Sequence, residues 1–374
     1  MKRIFGTILL VSLIWACTSD NDSPTDDVGP GLSSFARGPM LINWADNIII
    51  PSYEAFSAEI DKLNISFSNF RDDASEGNLI ALRASWLSAY KVWQRVSMFE
   101  IGPAETAGFR LNMNIYPTNI EKIDGLVDSG SYDLSLSSNR DAKGFPALDY
   151  LINGLEDTDQ EIVSRFSTSE KEELITYIEA VLSDMTTLTS NVLSGWKHSY
   201  RDTFVSKDGA SATASVDRFV NDYVFYYEKF LRAGKMGIPL GVFSGSTLPE
   251  NVEAFYKADV SNELFLEGLQ ATQNFFNGRH FGSNASGESL ASYLDELNTV
   301  KSGEDLNKII NDQFDTARAM VGGLGAFRSE IESNPTPTNM LMAYDEVQRA
   351  VPLLKVDMVS AMSISIDFVD ADGD

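Results

Sequence analysis

Cysteine and histidine are nearly absent from this chain: of 374 residues, one is cysteine and two are histidine. A lone Cys17 excludes an intrachain disulfide and any cysteine metal cluster. With only His198 and His280, a three-histidine metal site is impossible, and no His-Glu-x-x-His occurs. Positive charge is also scarce, with 29 Lys and Arg against 54 Asp and Glu and a net charge of −25. Such a surface repels phosphate backbones, which excludes nucleic acid as a partner. It equally disfavours docking on anionic lipid headgroups without an anchor. There is no phosphate loop of the Gly-x-x-x-x-Gly-Lys type and no Gly-x-Ser-x-Gly nucleophile elbow. Alternation of the kind a sheet needs is confined mainly to Ile364, Ile366 and Phe368.

The apolar start is short. Lys2 and Arg3 precede an apolar run over residues 4–16, too brief to span a bilayer comfortably. It ends Leu13-Ile14-Trp15-Ala16-Cys17, which resembles a bacterial lipobox with the Cys17 thiol as lipid acceptor. The alternative is a plain signal peptide followed by an ordinary buried cysteine. On the first reading, residues 1–16 are a signal peptide and 17–39 an acidic flexible tether, rich in Asp and Ser and without periodicity. Removing residues 1–16 takes away two bases and no acid, leaving 27 basic against 54 acidic residues. The membrane is then a partner through the lipid at Cys17, and the expected location is the cell envelope. The outer membrane is expected, on its periplasmic or its surface-exposed side.

From residue 40 the apolar spacing is helical. Ile42, Ala45, Ile49, Phe56, Ile60, Leu63, Phe67 and Phe70 follow steps of three, four or seven, with Pro51 marking a kink or a helix start. Leu82, Trp86, Tyr90, Trp93 and Val96 mark a second helix. Leu174, Ile178, Val181, Met185, Leu188 and Val192 mark a third, opened by a capping box at Ser167-Thr-Ser-Glu170. Later helices fit residues 216–233, 264–276, 306–321 and 341–354. The fold class is therefore all-α.

Asn47-Ile-Ile-Ile-Pro-Ser-Tyr-Glu-Ala-Phe56 aligns with Asn221-Asp-Tyr-Val-Phe-Tyr-Tyr-Glu-Lys-Phe230, an offset of 174 positions. This predicts an internal duplication with two bundle-like halves, 40–206 and 207–374, unless two amphipathic helices match by coincidence. The seam falls at Lys207-Asp-Gly-Ala-Ser-Ala-Thr213. A long irregular loop is expected near 101–148, where Gly102-Pro103, Tyr116-Pro117, Ser129-Gly130 and Gly144-Phe-Pro146 interrupt any helix.

Chemistry is sparse outside that loop. Glu100 continues the stripe of Trp86, Tyr90, Trp93 and Ser97, and a buried glutamate needs a cation or a proton. Arg110 and Lys235 are the expected partners, with Glu228 in the same polar cluster. Asp149, Glu100, Arg110 and Tyr116 either wall a pocket between the halves or form an ion-pair network that orders the loop. His198 and Asp202 stand four apart on what reads as an exposed helix end, and His280 lies in a loop. Asp370-Ala-Asp-Gly-Asp374 begins like a calcium loop but lacks the residues that complete one.

Several stretches, taken in order, resemble the imelysin family. They are Trp86-Leu-Ser-Ala-Tyr-Lys-Val-Trp93, Phe99-Glu-Ile-Gly-Pro103, Arg110 with Asn114-Ile-Tyr-Pro117, and Lys143-Gly-Phe-Pro-Ala-Leu-Asp149. Glu228 with Lys235-Met-Gly-Ile-Pro-Leu-Gly241, Leu354-Lys-Val-Asp-Met358 and the acidic tail follow in the second half. The resemblance implies a helical fold of two bundle-like halves and a cell-envelope protein linked to iron uptake, with iron-uptake proteins as partners. It also implies iron or another divalent cation as cofactor, or a metal-dependent peptidase with a carboxylate-only site. The family carries Gly-x-His-x-x-Glu where this chain has Gly144, Pro146 and Asp149. Proline offers no lone pair to a metal, so Asp149 is the one metal ligand the motif retains. A surface structural or adhesion module is the remaining alternative.

Overall fold

Apolar residues recur so regularly in Ile50–Asp72 (α1) that one stripe buries Tyr53, Phe56, Ile60, Leu63, Phe67 and Phe70. Pro51 sits in the first turn, where its missing N–H leaves no hydrogen bond unmade. The helix does not begin there: a wider-wound turn, Asn43–Ile49, runs into it without a break. A short turn leads to Glu76–Val96 (α2), whose N-terminus is capped by Ser75 accepting from the Asn78 amide at 3.4 Å. Leu79, Leu82, Trp86, Trp93 and Val96 form its buried stripe. Truncating a ring such as Trp86 or Phe56 to alanine costs about 3–5 kcal/mol by loss of burial and the cavity left behind.

The coordinates are a computed structural model that describes residues 35–168, 171–334 and 336–367. The signal peptide, Cys17, most of the tether, the capping box of Ser167–Glu170 in part, and the acidic tail lie outside the described residues. The remaining long helices are Lys171–Gly195 (α3), Ser215–Phe225 (α4), Ser261–Phe276 (α5), Leu306–Gly322 (α6) and Thr338–Pro352 (α7). Two of them continue as wider-wound turns, α4 through Tyr226–Gly237 and α7 through Leu353–Met358. α1 packs on α2 and α3, α2 on α5, α5 on α6, and α6 on α7. α7 closes back on the Tyr226–Gly237 segment. Trp44, Phe99, Phe219 and Phe275 form one aromatic cluster, with ring centroids 4.7–5.9 Å apart, that joins the early helices to α4 and α5.

The described residues from Phe35 onward form one compact all-α unit. Among them the strands are Val300–Lys301 and Glu304–Asp305, an antiparallel pair with Val300 opposite Asp305. No helix among the described residues is long and apolar enough to cross a membrane.

Three expectations need correction. The last residues of the stretch read as tether are folded: Phe35 stacks on Tyr293 at 4.3 Å, and Arg37 pairs with Asp217 at 2.9 Å and opens the helix Arg37–Ile42. Segment 101–148 is not irregular throughout. It contains Pro103–Ala107, Phe109–Met113, Ile120–Ser129, a tighter turn at Ser137–Ala142, and Gly144–Asp149. Helices this short are not stable alone and depend on tertiary anchors. Tyr177 donates to the Ala142 carbonyl at 2.5 Å, Trp86 Nε1 to the Phe145 carbonyl at 3.2 Å, and the Phe145 ring stacks on Tyr90 at 4.4 Å. Gly144 has φ +72°, and a Cβ there would stand 2.1 Å from the Met113 carbonyl oxygen, so only glycine fits. Finally, Ile364 and Ile366 are not in a strand. Their segment is held by the Asn221 side chain, which donates to the Ser365 carbonyl and accepts from the Asp367 amide.

Candidate functional site

The stripe on α2 carries Trp93 and Gln94 to the end of the helix at Val96, where Ser97 caps it. Glu100 therefore sits in the turn beyond, not on the helix face. Its carboxylate accepts from the backbone amide of Arg110 at 2.8 Å, and its own amide donates to Asp222 at 2.8 Å. Burial raises the Glu100 pKa to about 7, against the lowering pull of Arg110. The Arg110 guanidinium does not pair with Glu100 as expected. Nε donates to the Ser97 carbonyl at 2.7 Å, Nη2 to both oxygens of Asp222 at 3.1 Å, and the group lies 4.6 Å from the centre of the Phe230 ring. Asp222 was missed, although Phe219, Asp222 and Tyr226 share one stripe of α4 and its continuation.

Lys235 and Glu228 do not join that cluster either. Lys235, on the Tyr226–Gly237 turns, pairs with Glu253, and both are nearly fully buried. Glu253 also accepts from Asn114 Nδ2 at 2.8 Å and Gln94 Nε2 at 3.2 Å, while Tyr90 donates to Asn114 Oδ1 at 2.5 Å. Burial lowers the Lys235 pKa, and Glu253 pulls it back up. Glu228 is held separately by Lys229 at 2.7 Å and Lys355 at 2.8 Å. Glu253 has no local signal beyond an acid set between Val252 and Ala254, and its partner lies 18 residues away.

Between these groups lies a cavity of about 320 Å³, within the size range of small-molecule sites. Trp93, Arg110, Tyr116, Tyr226, Phe230 and Lys235 are among the residues that line it. A second cavity of about 230 Å³ is lined by Tyr116, Pro146, Asp149, Glu250 and Tyr256, so Tyr116 borders both. The structure thus brings Arg110, Tyr116 and Lys235 to one cavity and Tyr116 and Asp149 to the other. Glu100 and Glu228 line neither.

Asp149 acts as a staple for the chain opposite. Its oxygens accept from the amides of Tyr256 at 2.8 Å and Lys257 at 3.0 Å, and from Asn153 Nδ2 at 3.0 Å. Burial raises its pKa to about 7, and these donors oppose the rise. The residues present do not fit a metal here. Pro146 supplies no ligand atom, both Asp149 oxygens already accept amide hydrogens, and no cluster of three or more His, Cys, Asp or Glu able to hold a metal occurs among the described residues. His198 is exposed, with Nδ1 3.0 Å from the Ser194 carbonyl, and His280 lies in a turn closed by the Ala285 carbonyl.

Comparison with known proteins agrees with this architecture. The imelysin (peptidase M75) family model matches residues 49–351. Iron-regulated protein A of Synechococcus elongatus is 23% identical over 301 residues, covering 78% of this chain and 76% of that protein. Two crystal structures share the fold. One, described as an iron-regulated protein A precursor from Parabacteroides distasonis, gives a TM-score of 0.70 at 15% identity, covering 88% of this chain and 97% of that one. The other, an imelysin-like protein from Psychrobacter arcticum, gives 0.70 at 16% identity, covering 90% and 98%.

Proposed function

This chain belongs to the imelysin family, and we propose that it is a binding protein of the cell envelope, anchored by a lipid on Cys17 and linked to iron uptake. The single observation that carries a binding role is the cavity between α2, the 110–116 segment and the Tyr226–Gly237 turns. Its polar walls are set by buried, hydrogen-bonded ion pairs, so the site is formed before any ligand arrives. The similarity to iron-regulated protein A supports the link to iron. The motif residues Pro146 and Asp149 argue for capture of an iron carrier or contact with an uptake protein over direct ligation of a bare ion.

A deletion strain complemented with the chain or with Cys17→Ala tests this reading. The deletion is expected to grow more slowly than its parent only when iron is limiting. Cys17→Ala is expected to leave the protein in the soluble fraction and fail to restore growth. Equal growth of deletion and parent across iron concentrations overturns the iron reading, and full membrane association of Cys17→Ala overturns the anchor.

A further inference from the structure

The larger cavity is unlike the rest of the molecule in charge. The chain has 54 acidic and 29 basic residues, yet three cations and no carboxylate line this space. The cations are Arg110, Lys229 and Lys235, and their acidic partners Asp222, Glu228 and Glu253 stand outside the lining. Some donors at the wall are also unspent. Arg110 is 4% exposed, and its Nη1 makes no hydrogen bond among the described residues, although the other two nitrogens of the group do. Nη1 is not among the sealed, unpartnered buried atoms, so it keeps accessible surface, and Arg110 is one of the residues that line the cavity. The Tyr116 hydroxyl and the Asn251 side-chain amide likewise have no hydrogen-bond partner among the described residues. The same lining includes the apolar side chains of Trp93 and Ile115, and of Phe230, whose ring lies 4.6 Å from the Arg110 guanidinium.

The geometry points to a small organic carboxylate with a flat apolar body as the ligand of this cavity. The carboxylate accepts from Arg110 Nη1 and the Tyr116 hydroxyl, and the body packs on Phe230 and Trp93. A guanidinium already fixed by Asp222 and Ser97 meets a carboxylate with little further ordering, which favours binding. An ammonium ligand would meet three cations and no acid. A phosphate alone would leave the apolar wall against water. This inference rests on the binding role proposed above and not on the link to iron.

Calorimetric titration of the full chain with benzoate, benzylamine and inorganic phosphate is the test. Benzoate is expected to bind at least about tenfold more tightly than either of the others. Tyr116→Phe is expected to weaken benzoate roughly ten- to a hundredfold, the net worth of one hydrogen bond to a charged group, with no change in melting temperature. Arg110→Lys, which cannot reproduce the planar fork, is expected to weaken it by about tenfold or more. If that variant fails to fold, the Tyr116→Phe result decides. Absence of benzoate binding, equal binding of benzylamine or of phosphate, or unchanged affinity in Tyr116→Phe overturns the inference. Benzoate binding in a chain whose deletion grows normally without iron would leave this inference standing and sink the iron reading alone.

Discussion

Asp149 and Glu253 are each 1% exposed, and they flank the two cavities that share Tyr116, yet the protein holds them by different means. Glu253 has a buried cation of its own, Lys235, and two side-chain amides complete its hydrogen bonding. Asp149 has no such cation in contact and relies on two backbone amides and Asn153. A charge pair fixes two side chains against each other. A carboxylate on backbone amides fixes a loop, here the turn that carries Ala254 and Ala258 at positive φ. The first arrangement shapes the wall of one cavity, and the second holds the wall of the other in place.

That contrast breaks most visibly at Lys235. Replacement by methionine leaves Glu253 buried without its cation, at an expected cost of about 3–5 kcal/mol in urea unfolding. Adding Glu253→Gln should recover most of that loss. If the single variant is as stable as the parent, the pair is not the support described here. Asp149→Ala comes next. It strands two backbone amides, at an expected cost of roughly 2–3 kcal/mol, and should speed amide exchange and proteolysis around 254–258 while sparing α2. Uniform loosening of the whole molecule would contradict a local staple.

The subtlest difference is in pH. The Asp149 carboxyl has a pKa of about 7 when folded, above its ordinary value of 3.8. Between these values the folded state holds a proton that the unfolded state releases. Stability from this group is therefore fully present below about pH 4, falls by up to about 1.4 kcal/mol per pH unit, and is gone above pH 7. The stability of the parent relative to Asp149→Asn should fall across that window. A difference independent of pH would mean that the amide donors keep Asp149 ionised.

Much of the helical framework is readable from residue spacing. Phe56, Ile60, Leu63, Phe67 and Phe70 announce α1 because burial along one face of a helix follows its own turn. The same logic overran the end of α2, since Glu100 keeps the right spacing after the helix has stopped. Most pieces of helix within 101–148 are hidden for the opposite reason: five or six residues between glycines and prolines carry too little periodicity to detect, and only Ile120–Ser129 reaches ten. Of the site, Arg110, Tyr116, Lys235 and Asp149 were recognisable. Their partners Asp222, Glu253 and the amides of Tyr256 and Lys257 were not.

Local pattern thus settled that this is a helical protein of net negative charge, poor in histidine and cysteine, because periodicity and composition are properties of the chain itself. Which acid meets which base was left to the packing of α2, α4 and the turns after it, since any base could answer many of the 54 acids and only proximity in space selects one. The same packing turned three of those cations toward one cavity and kept their carboxylates behind it.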